Sequence, residues 1–171
     1  ETGGEYSFPC SFSPDGKRLV MGTSGRIRCF TIDPWEELFP RKGNGDAIMG
    51  VALSPDGKSV ATVGRDNTVR TWETATGKER RVMRVGGGLL YGIAWSPDGK
   101  WIAETGGESG VSFDKTVRIF DASTGKEEKV LKGHTRDGWH VAFSPDGKRL
   151  ASVSWDGTAK LWSTATWAEQ H

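Results

Sequence analysis

Apolar and polar residues alternate along this chain in short bursts, most clearly between Trp139 and Trp162. There Trp139 to Phe143, Leu150 to Val153 and Ala159 to Trp162 are apolar-rich runs of four or five residues, separated by Ser, Pro, Asp and Gly. Runs this short between turn residues predict strands, because an amphipathic helix needs about ten or more residues with apolar positions three and four apart. Between the first two runs stands Ser144-Pro145-Asp146-Gly147. Pro presets the dihedral of the second turn position, Asp bonds the backbone two residues on, and Gly accepts positive φ, so the segment predicts a tight hairpin with antiparallel flanks. A second turn, Asp156-Gly157-Thr158, leads to the third strand.

The same tetrapeptide occurs at Ser13 to Gly16, Ser54 to Gly57, Ser96 to Gly99 and Ser144 to Gly147, at intervals of 41, 42 and 48 residues. A period near forty marks a small folding unit that buries its apolar face only by stacking on its neighbours. Thr76-Gly77-Lys78 and Thr124-Gly125-Lys126 supply a further turn into a fourth, more polar strand. The prediction is an all-β fold of four repeats, each a four-stranded antiparallel sheet.

These residues resemble the WD-repeat family of β-propellers, and the Ser-Pro-Asp-Gly and Thr-Gly-Lys turns resemble its bacterial type. The resemblance spans 1–171 as a single array, with blades at approximately 5–46, 47–88, 89–136 and 137–171. It implies a structural hydrogen-bonded tetrad of His134, Ser152, Asp156 and Trp162 in the fourth repeat, and of Asn44, Thr62, Asp66 and Trp72 in the second. The third repeat offers Gly86, Glu104, Asp114 and Phe120 at these places, and the first Gly3, Gly22, Ser24 and Phe30. Rings in the family have about seven or eight blades, so four repeats imply part of a ring. Three arrangements follow: a closed four-bladed ring, an arc cut from a longer chain, or two chains completing an eight-bladed ring. The expected one is the last, each chain half of an eight-bladed ring in a homodimer in which the end blades cover each other's apolar faces.

With 23 basic and 22 acidic residues, the chain carries no electrostatic footprint for nucleic acid. No apolar run reaches the roughly 20 residues of a membrane helix, so no membrane partner is expected. Cys10 and Cys29 align with Val141 and Leu161, inward strand positions, which predicts buried free thiols and a lean to the cytoplasm. Ser152, His134 and Asp156 are hydrolase residue types, but the resemblance makes them structural, and no enzyme activity is expected. His140 and His171 have no partner at metal-ligand spacing, and the Asp-Gly pairs lack the further carboxylates of a calcium loop. Gly86-Gly87-Gly88 precedes no helix that would make it a phosphate cradle. No metal or cofactor is expected.

Binding has a better candidate. Aligned by their turns, the repeats place Phe8, Met49, Tyr91 and Trp139 at one position on the face that the resemblance makes the top of the disc. The position before the tetrad aspartate holds Arg65, Phe113 and Trp155 in repeats two to four. Such aromatic and Arg side chains are the types enriched at interface hot spots. The third repeat inserts six residues within Glu104 to Asp114, where Glu104 and Glu108 are expected to meet a basic group. The reading is a non-catalytic scaffold presenting an aromatic top face to a protein or peptide. The alternatives are a purely structural self-assembling unit and the regulatory fragment of a larger enzyme.

Overall fold

A computed structural model describes residues 9–38, 44–86, 88–106, 108–109, 112–113 and 115–171. The first sheet holds β1 (Cys10–Phe12), β2 (Arg18–Gly22), β3 (Ile27–Thr31) and β4 (Glu36–Glu37), paired antiparallel in that order. The second holds β5 (Ile48–Leu53), β6 (Ser59–Gly64), β7 (Thr68–Glu73) and β8 (Glu79–Arg84). In the third, β9 (Leu90–Trp95) and β10 (Trp101–Gly106) are followed by a small ribbon of β11 (Glu108–Ser109) and β12 (Ser112–Phe113), then by β13 (Thr116–Asp121) and β14 (Glu127–Lys132). The fourth holds β15 (Gly138–Phe143), β16 (Arg149–Ser154) and β17 (Ala159–Ser163), and its outer strand is reduced to a bridge between Trp162 and Glu169. The described residues form no helix, and the all-β meander read from the sequence holds in each sheet.

The four Ser-Pro-Asp-Gly turns are built alike. Each Gly N–H donates to the Ser carbonyl, as from Gly57 to Ser54 at 2.8 Å, and each Gly sits at φ between 66° and 73°. The Asp Oδ1 accepts from the Ser hydroxyl and from the following Lys N–H, at 2.6 and 3.0 Å for Asp56. These bonds, the serine hydroxyl foremost, hold the carboxyls of Asp15, Asp56, Asp98 and Asp146 below the usual carboxylate range. The Ser Oγ in turn accepts the N–H five residues on, from Ser59 in the second sheet and Arg149 in the fourth. Every bond lies within six residues, so the turn is specified locally.

Three apolar clusters separate the sheets. Val20, Ile27 and Cys29 meet Val51, Leu53 and Trp72; Val63 and Val69 meet Ile93, Ile102 and Phe120; Ala103, Val117 and Ile119 meet Val141, Leu150 and Trp162. Innermost strands lie close enough that a Cβ on Gly50 would stand 2.7 Å from the Tyr91 carbonyl oxygen, and one on Gly92 2.8 Å from the Cα of His140. In every sheet a cation of the third strand pairs with a glutamate nine residues on: Arg28 with Glu37, Arg70 with Glu79, Arg118 with Glu127, Lys160 with Glu169. The last pair holds the C-terminal segment where an outer strand belongs.

The end sheets differ from the inner ones. Phe12 is 62% exposed, whereas Leu53, its counterpart before the next Ser-Pro-Asp-Gly turn, is 8% exposed beneath the first sheet. At the other end Val153 is 40% exposed and its counterpart Val63 fully buried. The expectation of two buried thiols holds for Cys29, whose pKa burial raises to about 11, and fails for Cys10, which is exposed. Cys10 lies on β1, on a face that no other described sheet covers.

Candidate binding face and the network behind it

Strand length sets the geometry of the fourth sheet's network. Trp162 on β17 pairs with Leu150 of β16, two residues from Ser152, so Ser152 and Trp162 lie diagonally on the sheet face that packs on the third sheet. The Trp162 indole N–H donates to Ser152 Oγ at 2.9 Å, and Ser152 Oγ lies 2.8 Å from His134 Nε2. His134 Nδ1 is 3.0 Å from Asp156 Oδ2. Satisfying the Asp156 carboxylate requires the proton on Nδ1, which leaves Nε2 to accept from the serine. Asp156 also accepts the N–H of Thr135 at 2.9 Å and both N–H and hydroxyl of Thr158. Burial opposes its ionisation, but the Thr158, Thr135 and His134 bonds prevail and hold its carboxyl far below the usual range.

The second sheet makes the same connection with an amide. Thr62 Oγ1 accepts from Trp72 Nε1 at 2.9 Å and donates to Asn44 Oδ1 at 2.8 Å, while Asn44 Nδ2 donates to Asp66 at 3.3 Å. An amide offers one acceptor and one donor, as does the neutral imidazole in this tautomer, so Asn44 stands in for histidine. Asp66 is also paired with Arg70 at 3.0 Å.

The third and first sheets depart from this plan. Glu104, expected to face a ligand, is 1% exposed, and its Oε1 lies 3.7 Å from Arg118 Nε on the adjacent strand. Mid-strand, beneath the neighbouring sheet, a carboxylate survives burial only when paired, and the cross-strand Arg118 supplies the partner. In the first sheet Met21, rather than Gly22, faces Arg28 as Ser152 faces Lys160 and Thr62 faces Arg70. The hairpin there is one residue shorter, which shifts an alignment counted back from Phe30. Gly3 and Asp114 lie outside the described residues.

At the end of the sheets where inner strands begin, three aromatic rings meet. Tyr91 and Trp139 have centroids 5.1 Å apart at 30°, and Trp139 meets Trp155 edge-on at 5.2 Å and 74°. Trp139 is nevertheless 48% exposed and Trp155 55%. The repeat alignment picks out these positions but not what aims them: Met49, Tyr91 and Trp139 are each the extra residue of a β-bulge, where the register slips between Ile48 and Gly50, Leu90 and Gly92, Gly138 and His140. A bulged residue leaves the ladder and its side chain is re-aimed. The glycines beside all three bulges are the sequence signal for the irregularity.

Trp155 is fixed by the loop that the tetrad aspartate holds. Its N–H donates to the Asp137 carbonyl at 2.9 Å, and its carbonyl accepts from Arg136 Nη1 at 3.3 Å, next to the Thr135 N–H that Asp156 receives. Met49 and Arg65 stand at the same end on the second sheet, half-buried and exposed respectively, without joining the ring cluster. Phe8 lies outside the described residues, and the backbones of Glu108 and Phe113 pair in the β11–β12 ribbon. Among the described residues no group of three or more His, Cys, Asp or Glu side chains could hold a metal ion. Among them, too, no helix is long and apolar enough to cross a membrane.

The family model for the WD domain, G-beta repeat matches residues 35–73, 80–121 and 125–163, well over half of the chain. A 68-residue stretch is 35% identical to an uncharacterized WD repeat-containing protein of Synechocystis sp., covering 39% of this chain and 20% of that protein. A 66-residue stretch is 35% identical to the apoptotic protease-activating factor 1 of Rattus norvegicus and to that of Mus musculus, covering 38% of this chain and 5% of each. The chain is thus similar to only a small part of these longer relatives. With its blade-like antiparallel sheets and repeated turns, it belongs to the WD domain, G-beta repeat family, β-propeller scaffolds for protein interaction that are generally non-catalytic.

Proposed function

We propose that this chain is a non-catalytic scaffold that binds a protein or peptide through Tyr91, Trp139 and Trp155. The observation that carries the reading is two indoles held in ring contact yet about half exposed, on a face braced by the Asp156 network. Fixed aromatic side chains give large contact area with little ordering entropy lost on binding. Ser152 supports the non-catalytic part: it is 1% exposed and already engaged by Trp162 and His134, so a substrate has no path to its hydroxyl. Trp139→Ala and Trp155→Ala are expected to weaken the best partner found by pull-down by about 1 to 3 kcal/mol each with unchanged melting. Lys58→Ala, among the Ser-Pro-Asp-Gly turns at the other end, is expected to be silent. Unchanged affinity in both Trp variants would favour the purely structural unit instead.

A second reading concerns assembly: two copies complete an eight-bladed ring. The exposure of Phe12 and Val153, where their counterparts on inner sheets are buried, supports it. A two-fold axis lets each end sheet cover the other copy's opposite end.

A further inference from the structure

The grooves between successive sheets are not equivalent at the end where the Ser-Pro-Asp-Gly turns lie, opposite the aromatic face. Between the third and fourth sheets the chain fills the groove itself. Trp167 meets Trp101 of β10 edge-on, with centroids 5.9 Å apart at 85°. Trp167 holds φ 57° in the turn after β17, where the second and third sheets carry Gly77 at 66° and Gly125 at 76°. The three turns are the same, closed by the N–H of Gly77 to Glu73, of Gly125 to Asp121 and of Trp167 to Ser163. A bulky residue is strained in this left-handed region, and here the edge-on contact with Trp101 and packing against the third core cluster hold it.

Between the second and third sheets both fillers are missing. Ser59 stands where Trp101 stands one sheet on, each donating its N–H to the Oγ of the preceding turn serine, and Gly125 stands where Trp167 does. Arg81 and Met83 take the space beside Gly125, and a groove of about 500 Å³ remains beside Ser59, walled also by Thr71, Trp95 and Ala122. That volume is in the range of small-ligand sites. At its rim Arg80 is paired with Glu73 and Glu79 with Arg70, and Lys78 also acts on the Glu73 carboxylate, whereas Arg81 has no ion pair among the described residues and reaches across to the Ser123 carbonyl. Asp56 and Asp98, on the turn side, are engaged within their own turns. Within the groove's own rim three cations, Lys78, Arg80 and Arg81, stand against two carboxylates, Glu73 and Glu79.

We propose that this groove docks a tryptophan side chain presented by a partner protein beside a carboxylate, the indole lying on Trp95 as Trp167 lies on Trp101 and the carboxylate meeting Lys78 or Arg81. The groove is independent of the aromatic face at the other end of the sheets. The test is titration of the 15N-labelled full chain with N-acetyl-tryptophan and with its neutral amide, followed at the indole N–H signals. Expected are a saturable shift at Trp95, weaker binding of the neutral amide, and binding weakened about tenfold or more by Ser59→Trp, which rebuilds the filled groove. Trp167→Gly is expected to open a second site, read at Trp101, and decides the matter if Ser59→Trp does not fold. A silent Trp95, or binding untouched by Ser59→Trp, would overturn the proposal. Shifts confined to Trp139 and Trp155 would overturn it while supporting the aromatic face, and equal binding of acid and amide would remove the carboxylate from it.

Discussion

One oxygen, Ser152 Oγ, serves both Trp162 and His134, so removing either neighbour leaves a buried polar atom unmatched or opens a cavity. His134→Ala and Trp162→Ala are each expected to lower stability by about 1 to 4 kcal/mol in urea melts. Gly86, at the corresponding place in the third repeat, is exposed and anchors no such network, so Gly86→Ala is expected to leave the midpoint in place. Asp156 adds a pH signature. Its folded pKa is depressed, so its contribution is complete above the usual carboxylate value of about 4 and is lost as pH falls below that toward the folded value. Wild type is therefore expected to exceed Asp156→Asn in urea midpoint at pH 7, and the gap to narrow steadily below about pH 4. A gap constant down to about pH 2 would contradict the role given to the carboxylate.

Between strands, close approach and buried charge set the tolerances. A methyl group on Gly92 would press on the backbone of β15 at His140 and Val141 as well as on Thr105 Cγ2, and the backbone cannot give way as a side chain can. Gly92→Ala is therefore expected to cost about 1 to 3 kcal/mol, measured by chemical denaturation. Arg118→Ala would strip a partner from the buried Glu104 and is expected to cost about 3 to 5 kcal/mol, whereas loss of the exposed Lys126 to Glu128 pair in Lys126→Ala should cost under about 1 kcal/mol. Similar costs for the two substitutions would mean that Glu104 finds adequate compensation elsewhere.

For the whole molecule the decisive surfaces are the two end sheets. Light scattering across a concentration series is expected to give a compact particle of about twice 18.6 kDa. Phe12→Asp and Val153→Asp, each placing a charge on one uncovered face, are expected to return it to the single-chain mass. A monomer at all concentrations would exclude two-chain closure, and polydisperse aggregates would instead indicate an arc whose neighbours belong to a longer chain.

Features made by residues close in sequence are legible in the sequence itself. The Ser-Pro-Asp-Gly turns are closed by bonds inside six residues, and the spacing of Ser152, Asp156 and Trp162 follows from hairpins of regular length. The substitution of Asn44 for histidine is legible as well, because an amide carries the same donor and acceptor. Burial is not, since it depends on what stacks against a sheet face from a repeat some forty residues away. Cys10 and Cys29 look alike in the sequence and differ only because one has a sheet over it. Glu104 reads as a surface carboxylate until the ladder sets Arg118 across from it, and the bulges that aim Tyr91 and Trp139 emerge only from strand register. The repeat pattern determined which elements form; the stacking of one sheet on the next decided which of their residues are covered, paired or left exposed.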